Sequence, residues 1–286
     1  MDHSVVIVNW NAGEALTACL ASLAADPVAG RESILVDNAS TDGSAAAARA
    51  RHPVTRVIDT GRNLGFAAGA NAGAAVARGD VVVFLNPDAR VAPGAIGRLL
   101  DALRSTPGAA IAGGGLVDER GRWQPGAARF APLRHLLLDT TLGRLPERGR
   151  QAPYRVDWVY GTFMAVRRDL FTQLGGFDVR YFLYGEDLDL CYRASRLGMR
   201  TLHVPSARAV HAGALSAGAR FGSGREAEVV KGEMRFYAAR GALGRFRVAA
   251  ACKFGLKAIL AAVSGRRIPA ARYGQVVRAC VTFDPR

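Results

Sequence analysis

Cysteine is scarce and scattered in this chain of 286 residues: Cys19, Cys191, Cys252 and Cys280 lie far apart and form no CxxC pair. That spacing excludes a disulfide framework and a thiolate zinc site, and it fits a reducing compartment. Long apolar runs are also missing. The best candidate, Val248 to Ser264, is interrupted by Lys253 and Lys257 and falls short of the roughly 20 apolar residues that a spanning helix needs. No GxxxxGKS/T occurs, which excludes a P-loop, and no GxGxxG follows the first apolar run, which argues against a dinucleotide site. No segment repeats at a fixed period. The opening MDHSVVIVNWN has no basic stretch ahead of an apolar one, so no secretory leader is expected. Acid is also short: 24 Asp and Glu stand against 38 Lys and Arg, a net charge of +14.

Half of the residues are apolar, enough for a sizeable core, and the 22% that are charged is ordinary for a globular protein. The positive excess is concentrated. From Arg225 to the end, 13 Lys and Arg face only four acids, a net +9. Such a tail favours an anionic partner: phospholipid headgroups, nucleic acid or a phosphate-bearing substrate. Within it, Lys253 and Lys257 are four apart, on one face of a helical pattern. The expectation is an amphipathic helix lying on an anionic membrane surface; the competing one is a packing helix with a solvated basic face.

The first half alternates. SVVIVNW, SILVDN, VTRVID and VVVFL read as strands. Between and after them come helical patterns over Glu14–Ala24, an alanine-rich stretch to Arg51, the small-residue run GFAAGANAGAAVARG, and Pro93–Arg104. Near-continuous apolar strands separated by single helices predict a parallel sheet covered on both faces, with right-handed crossovers. Residues 119–152 mix Gly, Pro and Arg and read as a long excursion. Order returns with VDWVYGTFMAVRRDLF, a strand running into a helix, then the helix EDLDLCYRASRLG, the short strand TLHVP and a helical tail from Glu226.

Each early strand ends in polar groups: Asn9 and Asn11, Asp37 and Asn38, Asp59, then Asn86 and Asp88. One such end is a turn signal. Several on the same rim predict a polar ligand, because open parallel sheets bind ligands outside the carboxyl ends of their strands. Gly65, Gly69 and Gly73, spaced by four, share one helix face and allow close approach to the sheet or to a ligand.

The series VVIVNWN, ILVDNASTDGS, NLGFAAGANAG and VVVFLNPDA resembles the family 2 glycosyltransferases and their nucleotide-sugar-binding GT-A fold. WVYGTFMAVRRDLF, GGFD, YGEDLDLCYRASRLG and VPSARAVH resemble the acceptor side of the same family. The likeness covers roughly residues 4–211, in order, which is more specific than any one motif. VNWN and the long acceptor region are most similar to bacterial rhamnosyltransferases.

The resemblance implies roles. Asp37 would accept a hydrogen bond from the N3–H of a uracil or thymine; its alternative role, capping the next helix, suits Ser40 and Thr41 better. Asn63, Gly65, Phe66 and Asn71 match the segment that closes over the nucleotide, with the two asparagines as contacts and Phe66 as contact or core. NPD stands where the family has an acid-x-acid motif. Asp88 would bind the Mg²⁺ or Mn²⁺ that bridges the diphosphate. Asn86, an amide in place of an acid, would be a weak ligand or would hold the ribose or sugar. Asp187 matches the catalytic base, and Glu186 would orient the acceptor or Asp187. His211 matches a histidine near the metal or diphosphate. Trp158 and Gly161 match a segment near the donor sugar and acceptor, where Trp158 would stack on a sugar or belong to the core. Asp189 and Arg193 form an i,i+4 helix pair.

The expected architecture is therefore α/β: a mostly parallel central sheet flanked by helices, GT-A in type, with a helical C-terminal appendage. Residues 1–222 would form the transferase domain, with a nucleotide-sugar half over 1–115 and an acceptor half over 116–222. Residues 223–286 would form the basic tail. The expected activity is inverting, metal-dependent transfer of a sugar, rhamnose on the narrower resemblance, from a dTDP- or UDP-sugar to a glycan or lipid-linked acceptor in cell-surface polysaccharide synthesis. The place implied is the cytoplasm, peripheral on the inner membrane face. Two other classes compete: a non-catalytic nucleotide-sugar-binding protein of this fold, which Asn86 would permit, and a nucleic-acid-binding protein, which the tail would permit although no recognisable module supports it.

Overall fold

The apolar runs form strands because β-branched and aromatic side chains fit a pleated, half-buried surface. The computed structural model of the chain describes residues 2–26, 28–52, 56–130, 150–212, 224–264 and 267–284. Its contacts group these into two units. The larger holds the described residues up to 129, with 150–182 and 186–212; the smaller holds 130, 183–185 and 224–284.

In the larger unit, β1 (His3–Asn9), β2 (Arg31–Asp37), β3 (Arg56–Asp59) and β4 (Val81–Leu85) are parallel, in the order β3-β2-β1-β4. The crossovers are α1 (Glu14–Ala25), α2 (Ser44–Arg51) and α3 (Gly65–Ala75). Beyond β4 the chain forms β5 (Ala89–Val91), α4 (Ala95–Ser105), β6 (Ala109–Val117), β7 (Trp123–Gln124), β8 (Ala127–Ala128), β9 (Tyr154–Val156) and β10 (Trp158–Val159). It continues through β11 (Phe163–Arg167), α5 (Arg168–Gln173), α6 (Glu186–Arg196) and β12 (Arg200–His211). The main sheet extends as β4-β11-β6-β12-β5, with β11 antiparallel between β4 and β6.

Side chains alternate across a strand, and β1 shows why both faces are apolar. Val5 and Ile7 enter one core with Leu16 and Leu23 of α1 and Leu99 of α4. Val6 and Val8 enter the other with Ala67 and Ala70 of α3 and Leu190 of α6. The glycine series serves the second contact: a Cβ on Gly73 would lie 2.4 Å from Val6 Cγ1 and 2.9 Å from Val36 Cγ2.

Two strands go beyond the sequence expectation. The segment AAIAGGGLV becomes β6, although glycine is depleted in strands. The reason is close packing: a Cβ on Gly114 would stand 2.2 Å from the Phe163 ring and 2.6 Å from the Ala207 carbonyl oxygen. The short strand TLHVP becomes the 12-residue β12. Its pairing with β6 shifts register between Val204 and Arg208, which lets Pro205, with no N–H to donate, sit inside it. The middle of the 119–152 excursion lies outside the described residues, while its start forms β7 and β8.

The smaller unit contains α7 (Arg225–Ala238), α8 (Leu243–Val263) and α9 (Arg267–Thr282) around Val230, Met234, Phe246, Ala250, Val276 and Phe283. No helix among the described residues is long and apolar enough to cross a membrane. The basic face expected on α8 does not form as such, because Lys253 is buried. Burial also pushes the Glu233 carboxyl up to about 7, with the charge of Lys253 drawing it back. The α8 helix also exposes large apolar side chains: Val248, Leu256, Ile259, Leu260 and Val263 are 59–83% exposed. Their spacing places them on one side of the helix.

Candidate active site

At the carboxyl rim, the register places Asn9 beside Asp37. Asn9 Nδ2 donates to Asp37 Oδ1 at 3.1 Å and to the Ser40 and Ser44 hydroxyls at 3.0 and 2.9 Å. Asn11, with a left-handed φ of 51°, donates its N–H to Ser40 Oγ and accepts from Thr41 N–H at 2.7 Å. Asn38 donates to the Gly65 carbonyl at 2.9 Å and accepts from the Thr60 hydroxyl at 3.2 Å. Ser40 thus braces the rim, and it is Asp42 that accepts the N–H of Ser44, the first residue of α2.

The next predicted group ties α3 down. Asn63 Oδ1 accepts from Gly65 N–H at 2.9 Å. Gly65 has φ 81°, and a Cβ there would meet the Phe182 carbonyl oxygen at 2.3 Å, so only glycine fits. The N–H of Phe66 donates to that carbonyl, and its ring packs 5.7 Å from Phe177. Both ends of the Asn71 amide bind the Phe177 backbone, at 2.8 and 2.9 Å. The structure therefore gives Asn63 and Asn71 protein partners, and Asn9 and Asp37, both buried, are paired with each other at the carboxyl rim.

The NPD turn is held from two sides. Antiparallel pairing of Leu85 with Phe163 brings Asn86 beside Thr162, whose carbonyl accepts the Asn86 N–H at 2.9 Å. On the other side β12 pairs with β5 so that His211 stands opposite Ala89. This carries His211 Nε2 to 3.4 Å from Asp88 Oδ1, both side chains being buried. Gln124, which the sequence reading missed, contacts His211 twice: ring Nδ1 lies 3.0 Å from its Oε1, and its Nε2 donates to the His211 carbonyl at 3.0 Å.

The second acidic centre begins α6. Tyr184 and Gly185, at φ 70° and 96°, lead into Glu186. Asp187 Oδ2 accepts from Gly161 N–H at 2.9 Å and its Oδ1 from Leu188 N–H at 2.7 Å. Burial raises both carboxyls. Glu186 rises well above the usual range, because the Asp187 charge adds to its burial, while backbone N–H groups hold Asp187 back. Glu186 is thus driven more strongly toward its protonated form than Asp187, which ionises more readily. Gly161 binds the Asp187 carboxylate through its backbone, and the Phe66 ring flanks it. Trp158, half-buried, stacks on Tyr160 at 4.8 Å. Asp189 is held by Arg193 at 2.6 Å, as an i,i+4 pair. Burial pushes the Cys19 and Cys191 thiols up, the latter to about 12, away from the thiolate form that nucleophilic cysteines use.

The sequence matches the family described as Glycosyl transferase family 2 over residues 4–175. The chain belongs to that family. It is 36% identical over 236 residues to the N-acetylglucosaminyl-diphospho-decaprenol L-rhamnosyltransferase of Mycobacterium tuberculosis, covering 75% of this chain and 77% of the relative. The low-salt glycan biosynthesis hexosyltransferase Agl10 of Haloferax volcanii is 26% identical over 216 residues, 73% of this chain and 67% of its own. Among solved structures, the mannosyltransferase PcManGT from Pyrobaculum calidifontis, in complex with GDP-Man and Mn²⁺, superposes with TM-score 0.62 at 19% identity, covering 98% of this chain and 86% of that one. GalNAc-T7 with UDP, GalNAc and Mn²⁺ gives 0.58 at 20% identity over 73% of this chain; only 43% of that longer chain is covered. The fold is GT-A, and the protein is a glycosyltransferase.

Whether this glycosyltransferase could hold a divalent cation is a question of donor chemistry. Among the described residues no three His, Cys, Asp or Glu gather to hold an ion. Asp88 and His211 nonetheless fit the role as a pair. His211 Nε2 is buried with no hydrogen-bond partner and faces the Asp88 carboxylate. Two ligands at right angles, each about 2.1 Å from an ion, stand about 3 Å apart, close to the 3.4 Å found. Few protein ligands suit a cation whose shell is completed by water and substrate phosphate.

Proposed function

We propose that this transferase moves L-rhamnose from a dTDP- or UDP-sugar onto N-acetylglucosamine carried on a polyprenyl diphosphate, in cell-surface polysaccharide synthesis. The observation that carries the reading is the 36% identity to a rhamnosyltransferase with that acceptor in its name, over 236 residues. Residues 1–115 are assigned to the donor and 116–222 to the acceptor.

Asp37 takes the pyrimidine N3–H, with Asn9 fixing its Oδ1. Asp88 and His211 hold the cation, which when bound offsets negative charge on the departing nucleoside diphosphate. Asp187 is the base. The acceptor hydroxyl oxygen attacks the anomeric carbon, the bond from that carbon to the diphosphate oxygen breaks, and the hydroxyl proton passes to Asp187. A single displacement inverts the configuration. Gly161 and Leu188 N–H groups aim the carboxylate, and burial raises its basicity toward working pH. The test is transfer from dTDP- and UDP-L-rhamnose to N-acetylglucosaminyl-diphosphoprenol with Mg²⁺ or Mn²⁺. Transfer of a different sugar, with neither rhamnose donor used, would sink the reading.

A lipid-linked acceptor calls for a protein that works at a membrane surface, and α8 supports that. Its outward apolar side chains, in a stretch whose sequence from Arg225 to the end carries +9, suit shallow burial among anionic headgroups. The Leu256→Glu/Leu260→Glu variant is expected to bind vesicles containing phosphatidylglycerol at least about tenfold more weakly, since burying one leucine contributes about 1.5 kcal/mol or more. Flotation measures it, and undiminished binding would show that α8 does not face lipid.

A further inference from the structure

We propose that Gln124 is a positioning residue for the cation site. It holds His211 in the tautomer with its proton on Nδ1, so that a bare Nε2 stands beside Asp88. This rests on the reading that Asp88 and His211 hold a divalent cation.

Two hydrogen bonds settle the orientation. The backbone carbonyl of His211 can only accept, so the Gln124 amide must turn its NH₂ toward that oxygen, at 3.0 Å. The amide oxygen then faces His211 Nδ1, also at 3.0 Å. An amide oxygen can only accept, so Nδ1 must donate, and in a neutral ring the other nitrogen is left with its lone pair. That nitrogen, Nε2, is buried without a hydrogen bond, 3.4 Å from Asp88 Oδ1. Two lone-pair-bearing atoms at this separation suit a cation between them.

The backbone sets Gln124 in place independently of any ligand. On β7 it stands opposite Leu116 of β6, and Leu116 is paired on its other side with Ala209 of β12, two residues before His211. Gln124 bonds the far side of the His211 ring and its backbone carbonyl, away from the Nε2 that faces Asp88, so it acts through the ring. Outer partners of ligating histidines alter metal affinity by about 10- to 100-fold.

The tautomer is read by ¹⁵N NMR of the metal-free chain labelled at histidine nitrogens, with His211→Asn identifying the His211 signals. The wild type is expected to show Nδ1 protonated and Nε2 bare. Gln124→Leu is expected to lose that preference and, with saturating UDP, to bind Mn²⁺ about 10- to 100-fold more weakly by electron paramagnetic resonance of the free ion. Gln124→Glu keeps an acceptor against Nδ1 and is expected to retain the tautomer and most of the affinity, which a merely structural role would not predict. Melting curves show that the variants are folded. A protonated Nε2 in the wild type, or wild-type Mn²⁺ affinity in folded Gln124→Leu, overturns the proposal. If the wild type binds no Mn²⁺, the cation reading fails and the affinity half fails with it, while the wild-type tautomer still decides whether Gln124 sets the ring.

Discussion

Replacing Asp187 with asparagine is expected to lower sugar transfer by about 10²- to 10⁴-fold, the usual contribution of a positioned general base, while donor binding persists. Asparagine keeps the shape at the start of α6 but cannot take the acceptor proton. The pH profile supplies a second check. Burial raises the Asp187 carboxyl above its ordinary value of 3.8. The base works only when ionised, so the rate should rise with pH through an inflection above 3.8, and the rate of Asp187→Asn should lack that inflection. Neighbouring Glu186 titrates with Asp187, so the limb belongs to the pair. Wild-type transfer by the variant on the true acceptor would remove Asp187 from the base role.

Asp88→Ala is expected to abolish metal-stimulated transfer. A cation offsetting charge on a departing diphosphate contributes several kcal/mol to the transition state, so a loss of about 10²-fold or more follows. Calorimetry with UDP and Mn²⁺ should show nucleotide affinity falling to its metal-free level. Unchanged affinity would place the cation elsewhere. His211→Ala should act in the same direction, because its Nε2 faces the same carboxylate.

The two acids differ in how the sequence marks them. Asp88 follows a five-residue apolar strand and a proline, so the sheet rim could be inferred for it without coordinates. Asp187 lies in a run of acids at a helix start, where dipole and ion-pair roles compete. The bond from Gly161 N–H, distant in sequence, distinguishes it from Asp189, which Arg193 holds. Asn63, just before α3, and Asn71, within it, show the reverse. Both fit a nucleotide-contacting motif, while in the fold the Asn63 amide oxygen accepts from Gly65 N–H and both ends of the Asn71 amide bind the Phe177 backbone. Motif position gives a residue's address, while its partners depend on segments such as 177–182 that are distant in sequence.

By itself the sequence determined the parallel half, the covering of both sheet faces and the family. Those rest on local periodicity and on motifs in order, which need no knowledge of what lies across the fold. Tertiary structure alone decided the rest. β6 is a strand because its glycines admit Phe163 and the Ala207 carbonyl, a packing contact that propensity opposes. β12 runs on past Pro205 because a register shift removes the need for an N–H there. That extension carries His211 to Asp88, and β7 brings Gln124 to His211. The buried Lys253 and the outward apolar side of α8 are decided in the same way. A helical pattern states which residues share a face, and only the neighbouring helices decide which face is covered.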